Sequence, residues 1–119
     1  AGVLEKYQPG DHEFDLPGGY LEKAMARDYG DYAKEGEDLR VCFLSNNDIT
    51  GGNSGSPVIN GNGELIGLAF DGNWEAMSGD IAFEHQLQRT ISVDIRYVLW
   101  CIDKLAGAKH IVDEMTLAR

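Results

Sequence analysis

"SGSPVINGNGELIGLAF" (residues 54–70) decides how this chain is read. Two short apolar runs, "SPVIN" and "ELIGLAF", flank a turn. Asn60 and Gly61 form a strong hairpin signal because both residue types tolerate positive φ. Residues 57–70 therefore read as a β-hairpin that starts directly behind Ser54. Pro57 opens the first strand, where a missing N–H donor is tolerated.

Working outward, "LRVCFLS" from Leu39 is an apolar run of strand length. It is followed by the polar loop "NNDITGGNSG". "DGNWEAMSGD" reads as another loop and "RTISVDI" as a further short strand. From Ile95 the apolar positions 95, 98, 99, 102 and 106 keep a helical period. Gly107 interrupts that period, and "AKHIVDEMTLA" begins a last helix with Ile111, Val112 and Met115 inward. Residues 1–17, with Pro9, Gly10 and Pro17, read as an irregular lead-in. The spacing of Leu21, Ala24, Met25 and Tyr29 suits a short amphipathic helix from about Gly19 to Lys34.

The 119 residues are one domain's length, and 43% apolar content is enough for a core. A net charge of −10 argues against nucleic acid, because phosphate binding needs clustered Lys and Arg. The sequence has no apolar run long enough to span a membrane and no signal-peptide pattern. It opens on "AGVLEKYQPGD" without Met, and reads as a piece of a longer protein. Cys42 and Cys101 lie in apolar contexts without metal-ligand spacing, so buried free thiols are expected, with a disulfide as the alternative. No metal or cofactor is implied.

Ser54 admits three readings. "GGNSGS" is a glycine-rich turn that happens to contain a serine, a strand-to-helix nucleophile elbow, or the nucleophile loop of a chymotrypsin-type site. The elbow needs G-x-S-x-G followed by a helix. Here Ser56 stands at the last glycine position and a hairpin follows, so that reading fails twice. The third reading gives each neighbour a task. Acyl transfer needs backbone N–H groups aimed at the developing oxyanion, and Gly52 and Ser54 would supply them. Gly55 keeps the space beside the hydroxyl clear.

"NDITGGNSGSPVINGNGELIGLAFDGNWEAMSGDIAF", with "RTISVDIRYVLWCIDKLAGA" after it, closely resembles the C-terminal end of bacterial serine dipeptidyl-peptidases of the 7/11 type. "TGGNSGSP" alone is shared with glutamyl endopeptidases of the staphylococcal type; "GLAFDGNWEAMSGD" is the more specific stretch. The resemblance implies a fold that is mainly β with C-terminal helices, forming the closing strands of one barrel in a chymotrypsin-like double β-barrel. In this layout residues 1–38 are a lead-in and short helix, 39–94 barrel strands with the nucleophile loop, and 95–119 C-terminal helices.

It also implies roles for single residues. Ser54 matches the catalytic serine and Gly52 the oxyanion glycine. Asp71 matches the carboxylate that binds the α-ammonium of a peptide substrate, a charge-assisted hydrogen bond. Gly72 matches the position that sorts specificity: Arg there goes with Asp or Glu before the scissile bond, Gly with an open apolar pocket. Read without the family, Asp71 and Gly72 are an ordinary strand-ending turn. Asn53 stands where zymogen-activated relatives carry an Asp that pairs with a new N-terminus, so activation by such cleavage is not expected. Asp48 matches a basic-specificity carboxylate only by one spacing and is set aside.

A serine needs a base, and the usual base is a His oriented by Asp. In chymotrypsin-like order both precede the serine. His85 and His110 follow Ser54 and read as surface or packing residues; His12, in "GDHEFD", lacks a triad context. The resemblance places the triad His and Asp in a large N-terminal region outside this chain, so the chain alone is expected to be inactive. It further implies peptide substrates with a free N-terminus and a periplasmic or cell-surface location. Apolar strand surface and an open sheet edge left uncovered make self-association, as in a homodimer, a separate expectation. Alternatives are a glutamyl-type endopeptidase and a catalytically dead interaction module.

Overall fold

The hairpin expected behind Ser54 is the centre of the sheet. In the computed structural model, which describes residues 2–73 and 88–118, Pro57–Ile59 forms β2 and Leu65–Gly72 forms β3. The preceding strand β1 is Cys42–Ser45 and the last, β4, is Thr90–Asp94. All neighbours are antiparallel, in the order β1-β4-β3-β2. The hairpin is borne out, but its turn differs from the two-residue form. Neither Asn60 nor Gly61 has a positive φ; Gly63 carries it, at 80°. The reason is the Asn60 side chain, whose Oδ1 accepts from the N–H groups of both Asn62 and Glu64, at 3.0 Å each. An Asn that bonds the backbone ahead of it opens a wider loop and moves the left-handed position downstream.

Helices lie on both sides of the sheet in the sequence: α1 (Gly2–Lys6), α2 (Tyr20–Met25), α3 (Ile95–Trp100) and α4 (Lys109–Asp113). The lead-in thus begins with a helical turn, contrary to the irregular reading. The chain divides into two units, Ala1–Leu39 with Leu99–Leu117, and Arg40–Val98 with Ala118–Arg119.

In the first unit α2 is shorter than expected. Arg27 takes φ 53°, and the Asp28 N–H reaches Lys23 O at 2.9 Å while the Arg27 N–H reaches Ala24 O at 3.2 Å. That is a Schellman ending with Arg in the place usually held by Gly. A 3₁₀ turn, Gly30–Tyr32, follows. Trp100 is buried at the unit's centre, with Tyr20 edge-on at 5.2 Å between centroids. Its Nε1 donates to Asp28 O at 2.7 Å. After Trp100, α3 widens into a π-helical turn, Cys101–Leu105, which presents Asp103 to the Tyr32 hydroxyl at 2.8 Å. Burial, followed by this bond to a carboxylate, pushes the Tyr32 phenol up to about 12. Gly107, at φ 63°, ends the turn as read. Val112 is buried as expected, whereas Met25, Ile111 and Met115 are exposed. With α2 and α4 only six and five residues long, each buries a narrow stripe.

In the second unit paired residues share a face of the sheet. One face carries Phe43, Gly67, Ala69, Thr90, Ser92 and Asp94; the other carries Cys42, Leu44, Leu68, Ile91 and Val93. The first, partly polar face is the more buried: Thr90, Ser92 and Asp94 are buried while Ile91 and Val93 are half-buried. Cys42 and Cys101 are free thiols as expected, but Cys42 is exposed on the open face and Cys101 is only half-buried. Phe43 covers Gly67, where a Cβ would stand 2.6 Å from both the Phe43 ring and Val93 O. Asp94 then caps α3. Its Oδ1 accepts the Arg96 N–H at 2.9 Å, and Arg96 Nη2 closes on Oδ2 at 2.7 Å. Burial pushes the Asp94 carboxyl up, but the bonds from Arg96 outweigh it and hold the group below its ordinary range.

Two outcomes follow for the full-length polypeptide that carries these residues. Gly67→Ala is expected to cost about 1–3 kcal/mol of stability, read as a lower urea midpoint, since the added Cβ would press on the Val93 carbonyl of the β4 backbone as well as on the Phe43 ring. Asp94, with its depressed folded pKa, contributes stability above the unfolded carboxylate range and loses it as pH falls through the folded value. The advantage of wild type over Arg96→Ala is therefore expected near neutral pH and should shrink in acid.

Candidate active site

Residues 50–56 are two consecutive turns joined at Asn53. The first is closed by the Asn53 N–H donating to Thr50 O at 3.2 Å, the second by the Ser56 N–H donating to Asn53 O at 3.0 Å. Gly52, at φ 96°, and Gly55, at φ 85°, occupy the third position of their turns. A positive φ at that position alone is the type II pattern, which is why both places call for glycine. Ser54 thus stands at the second position of the second turn and is exposed.

Two bonds fix this loop to the sheet. The Gly55 N–H donates to Ala69 O at 2.7 Å, and the Ala69 N–H donates to Ser56 O at 2.9 Å. Ala69 lies in β3, two residues before Asp71. Upstream, the Thr90 hydroxyl donates to Asn47 O at 2.6 Å, tying the entrance of the loop to β4. Neither tie was visible in the sequence. For Thr90 the only signal is the alternating Thr, Ser and Asp of "RTISVD", which marks polar residues sharing one face.

The backbone donors of the loop fall into two groups. Those of Thr50, Asn53, Gly55 and Ser56 are engaged. Those of Gly51, Gly52 and Ser54 have no partner among the described residues. An unengaged pair at Gly52 and Ser54 is what an oxyanion site requires, since donors already spent on the fold cannot answer a developing charge.

Asp71 and Gly72 lie inside β3 rather than in a turn after it. The strand register slips at Phe70: Ala69 faces Ser92, whereas Asp71 faces Ile91 and Gly72 faces Thr90. A bulge of this kind re-aims the next side chain. The Asp71 carboxylate is exposed, accepts the Gly72 N–H at 2.8 Å, and has no ion-pair partner among the described residues.

The histidines divide. His12 is exposed, 3.7 Å from Glu13, and His110 is exposed on α4; both belong to the first unit, whereas Ser54 belongs to the second. His85, and "WEAMSGD" of the most specific motif, lie outside the described residues. No hydrogen bond among the described residues engages the Ser54 hydroxyl. Nor does any group of three His, Cys, Asp or Glu there form a metal site, and no helix is long and apolar enough to cross a membrane.

Comparison with known proteins finds dipeptidyl-peptidases similar to this chain along nearly its whole length. Dipeptidyl-peptidase 7 of Capnocytophaga gingivalis is 67% identical over 115 residues, which is 97% of this chain and 16% of that protein. The Asp/Glu-specific dipeptidyl-peptidase of the same organism is 52% identical over 118 residues, 99% of this chain and 17% of that protein. The crystal structure of Porphyromonas endodontalis DPP11 in complex with the dipeptide Arg-Glu superimposes with a TM-score of 0.89 at 45% identity, over 95% of this chain and 16% of that one. The family described as Peptidase S46 matches residues 1–117, and the chain belongs to that family. It spans about a sixth of the length of these relatives.

Proposed function

We propose that this chain is the C-terminal, nucleophile-bearing part of the catalytic domain of a serine dipeptidyl-peptidase. The enzyme releases dipeptides from peptide N-termini and prefers an apolar residue before the scissile bond. The observation that carries the reading is the tandem turn, with Ser54 exposed, the Gly52 and Ser54 N–H groups unclaimed, and the loop bonded to β3 just ahead of Asp71.

In this mechanism Ser54 Oγ attacks the carbonyl carbon of the second residue, and its proton passes to a His contributed by another part of the enzyme. The carbonyl oxygen becomes an oxyanion held by the N–H groups of Gly52 and Ser54. Collapse breaks the peptide bond, the leaving amine takes the proton, and a dipeptidyl ester remains on Ser54. Water then hydrolyses the ester. Asp71 holds the α-ammonium, which fixes the cut two residues from the end. Gly72 contributes no side chain to the primary pocket, leaving it open and apolar. Cofactor chemistry has no part in this scheme.

The four strands would be one portion of a chymotrypsin-like double barrel. The exposure of Leu44, Ile59 and Leu65 supports a sheet whose apolar side is completed by further polypeptide, or by a second copy in a homodimer. A periplasmic or cell-surface location goes with the reading.

In the full-length enzyme, Ser54→Ala is expected to lower kcat by roughly a millionfold. Asp71→Asn is expected to cost roughly ten- to a hundredfold in kcat/KM, the worth of one charge-assisted hydrogen bond. Dipeptidyl amides with a blocked N-terminus should not be cleaved. Efficient cleavage of blocked substrates would instead favour an endopeptidase, and a fully active Ser54→Ala would refute the nucleophile. Gly72→Arg is expected to shift preference from apolar residues toward Asp and Glu before the cut, read as a ratio of kcat/KM values; an unchanged ratio would remove Gly72 from the pocket.

A further inference from the structure

Asn53 is the joint between the two turns, and it spends three groups there. Its N–H donates to Thr50 O at 3.2 Å, its side-chain Oδ1 accepts the Thr50 N–H at 2.8 Å, and its carbonyl accepts the Ser56 N–H at 3.0 Å. Residues 50 and 53 are therefore bonded in both directions, once through the backbone and once through the side chain.

The two turns differ in what else holds them. The second is anchored to β3 through Gly55, Ser56 and Ala69. The first contains Gly51 and Gly52, which have no side chains to pack, and nothing stands within 4 Å of the place a Cβ would take at either. Two adjacent glycines without packing are the most conformationally free backbone a protein can contain. Among the described residues, the bonds between Asn53 and Thr50 are what holds this turn closed. The Gly52 N–H lies inside that turn, and the Ser54 N–H belongs to the peptide that leaves Asn53.

We propose that Asn53 is the positioning residue of the site: its side-chain oxygen, by clamping the Thr50 N–H, keeps the Gly52 and Ser54 N–H groups together as a preformed oxyanion cradle. This rests on the reading of Ser54 as nucleophile. The cradle acts on charge that develops only in the transition state, so loosening it lowers kcat and leaves substrate binding through Asp71 largely alone.

The test is steady-state kinetics of the full-length enzyme on a dipeptidyl amide with a free N-terminus, with thermal midpoints measured alongside. Asn53→Ala removes the acceptor. It is expected to lower kcat roughly ten- to a hundredfold with KM within about threefold of wild type. Asn53→Asp keeps an oxygen within reach of the Thr50 N–H and should recover at least tenfold of the loss, on the same order-of-magnitude scale. Should Asn53→Ala fail to fold, Asn53→Ser, whose shorter side chain falls short of that N–H, takes its place. A kcat within about threefold of wild type in the Ala or Ser variant, or a loss confined to KM, would overturn the proposal. So would an Asp variant no better than Ala at equal thermal midpoint. Ser54→Ala, run in parallel, separates the two levels. If it is inactive while Asn53→Ala is not impaired, only the role of Asn53 falls; if it is active, the nucleophile reading falls and takes Asn53 with it.

Discussion

The pair of hydrogen bonds that Ala69 makes to Gly55 and Ser56 is the constraint on which the site depends. Each bond joins a turn to a strand, and together they prevent the loop from sliding along β3. A single bond would leave the loop free to pivot, whereas two bonds to the N–H and C=O of one residue fix its direction as well. Because Ala69 is buried and paired with Ser92 on β4, the loop inherits the rigidity of the sheet. Asp71, two residues further along the strand, has its separation from the loop set by the same backbone.

The sheet around that anchor divides its burial unusually. Thr90, Ser92 and Asp94 lie on the buried face, and Ser45 and Ser92 keep hydroxyls without a partner among the described residues. The apolar Ile91 and Val93 face the more open side with Leu44. Part of the polar burial is satisfied: the Thr90 hydroxyl is spent on Asn47 O, and the Asp94 carboxylate on Arg96. The orphan hydroxyls are a cost, since a buried donor without a partner loses its hydration and regains nothing. Leu44 is exposed on the apolar side of the sheet, and the chain spans about a sixth of the length of its relatives.

Much of this was legible in the sequence where chemistry and local geometry coincide. The strands at 57–59 and 65–72 follow from apolar runs around a turn, and the serine loop from glycines that only a positive φ explains. Boundaries and facing were less legible. The loop after β2 widened because the Asn60 side chain bonded the backbone ahead of it, and α2 stopped where Arg27 took a left-handed conformation that its residue type does not announce. Met25, Ile111 and Met115 fit a helical period yet stay exposed. Periodicity says which residues share a stripe, not whether a helix of five or six residues is wide enough to bury it.

By itself the sequence determined that a serine sits between glycines ahead of a hairpin, which excludes a strand-to-helix elbow and requires a tight turn. Those are matters of local backbone sterics, decided within a few residues. Only the tertiary structure decided which N–H groups of that turn are spent and which are left over. It also decided that Asp71 lies within a strand beyond a bulge at Phe70, and that Thr90 reaches across to Asn47. The Thr50, Asn53 and Ser56 donors are spent three residues away, but the Gly55 donor, the bulge and the Thr90 bond depend on partners 14 to 43 positions away in the chain, as with Gly55 and Ala69 or Asn47 and Thr90. A hydrogen bond across such a distance is set by sheet register, which no short stretch of sequence contains.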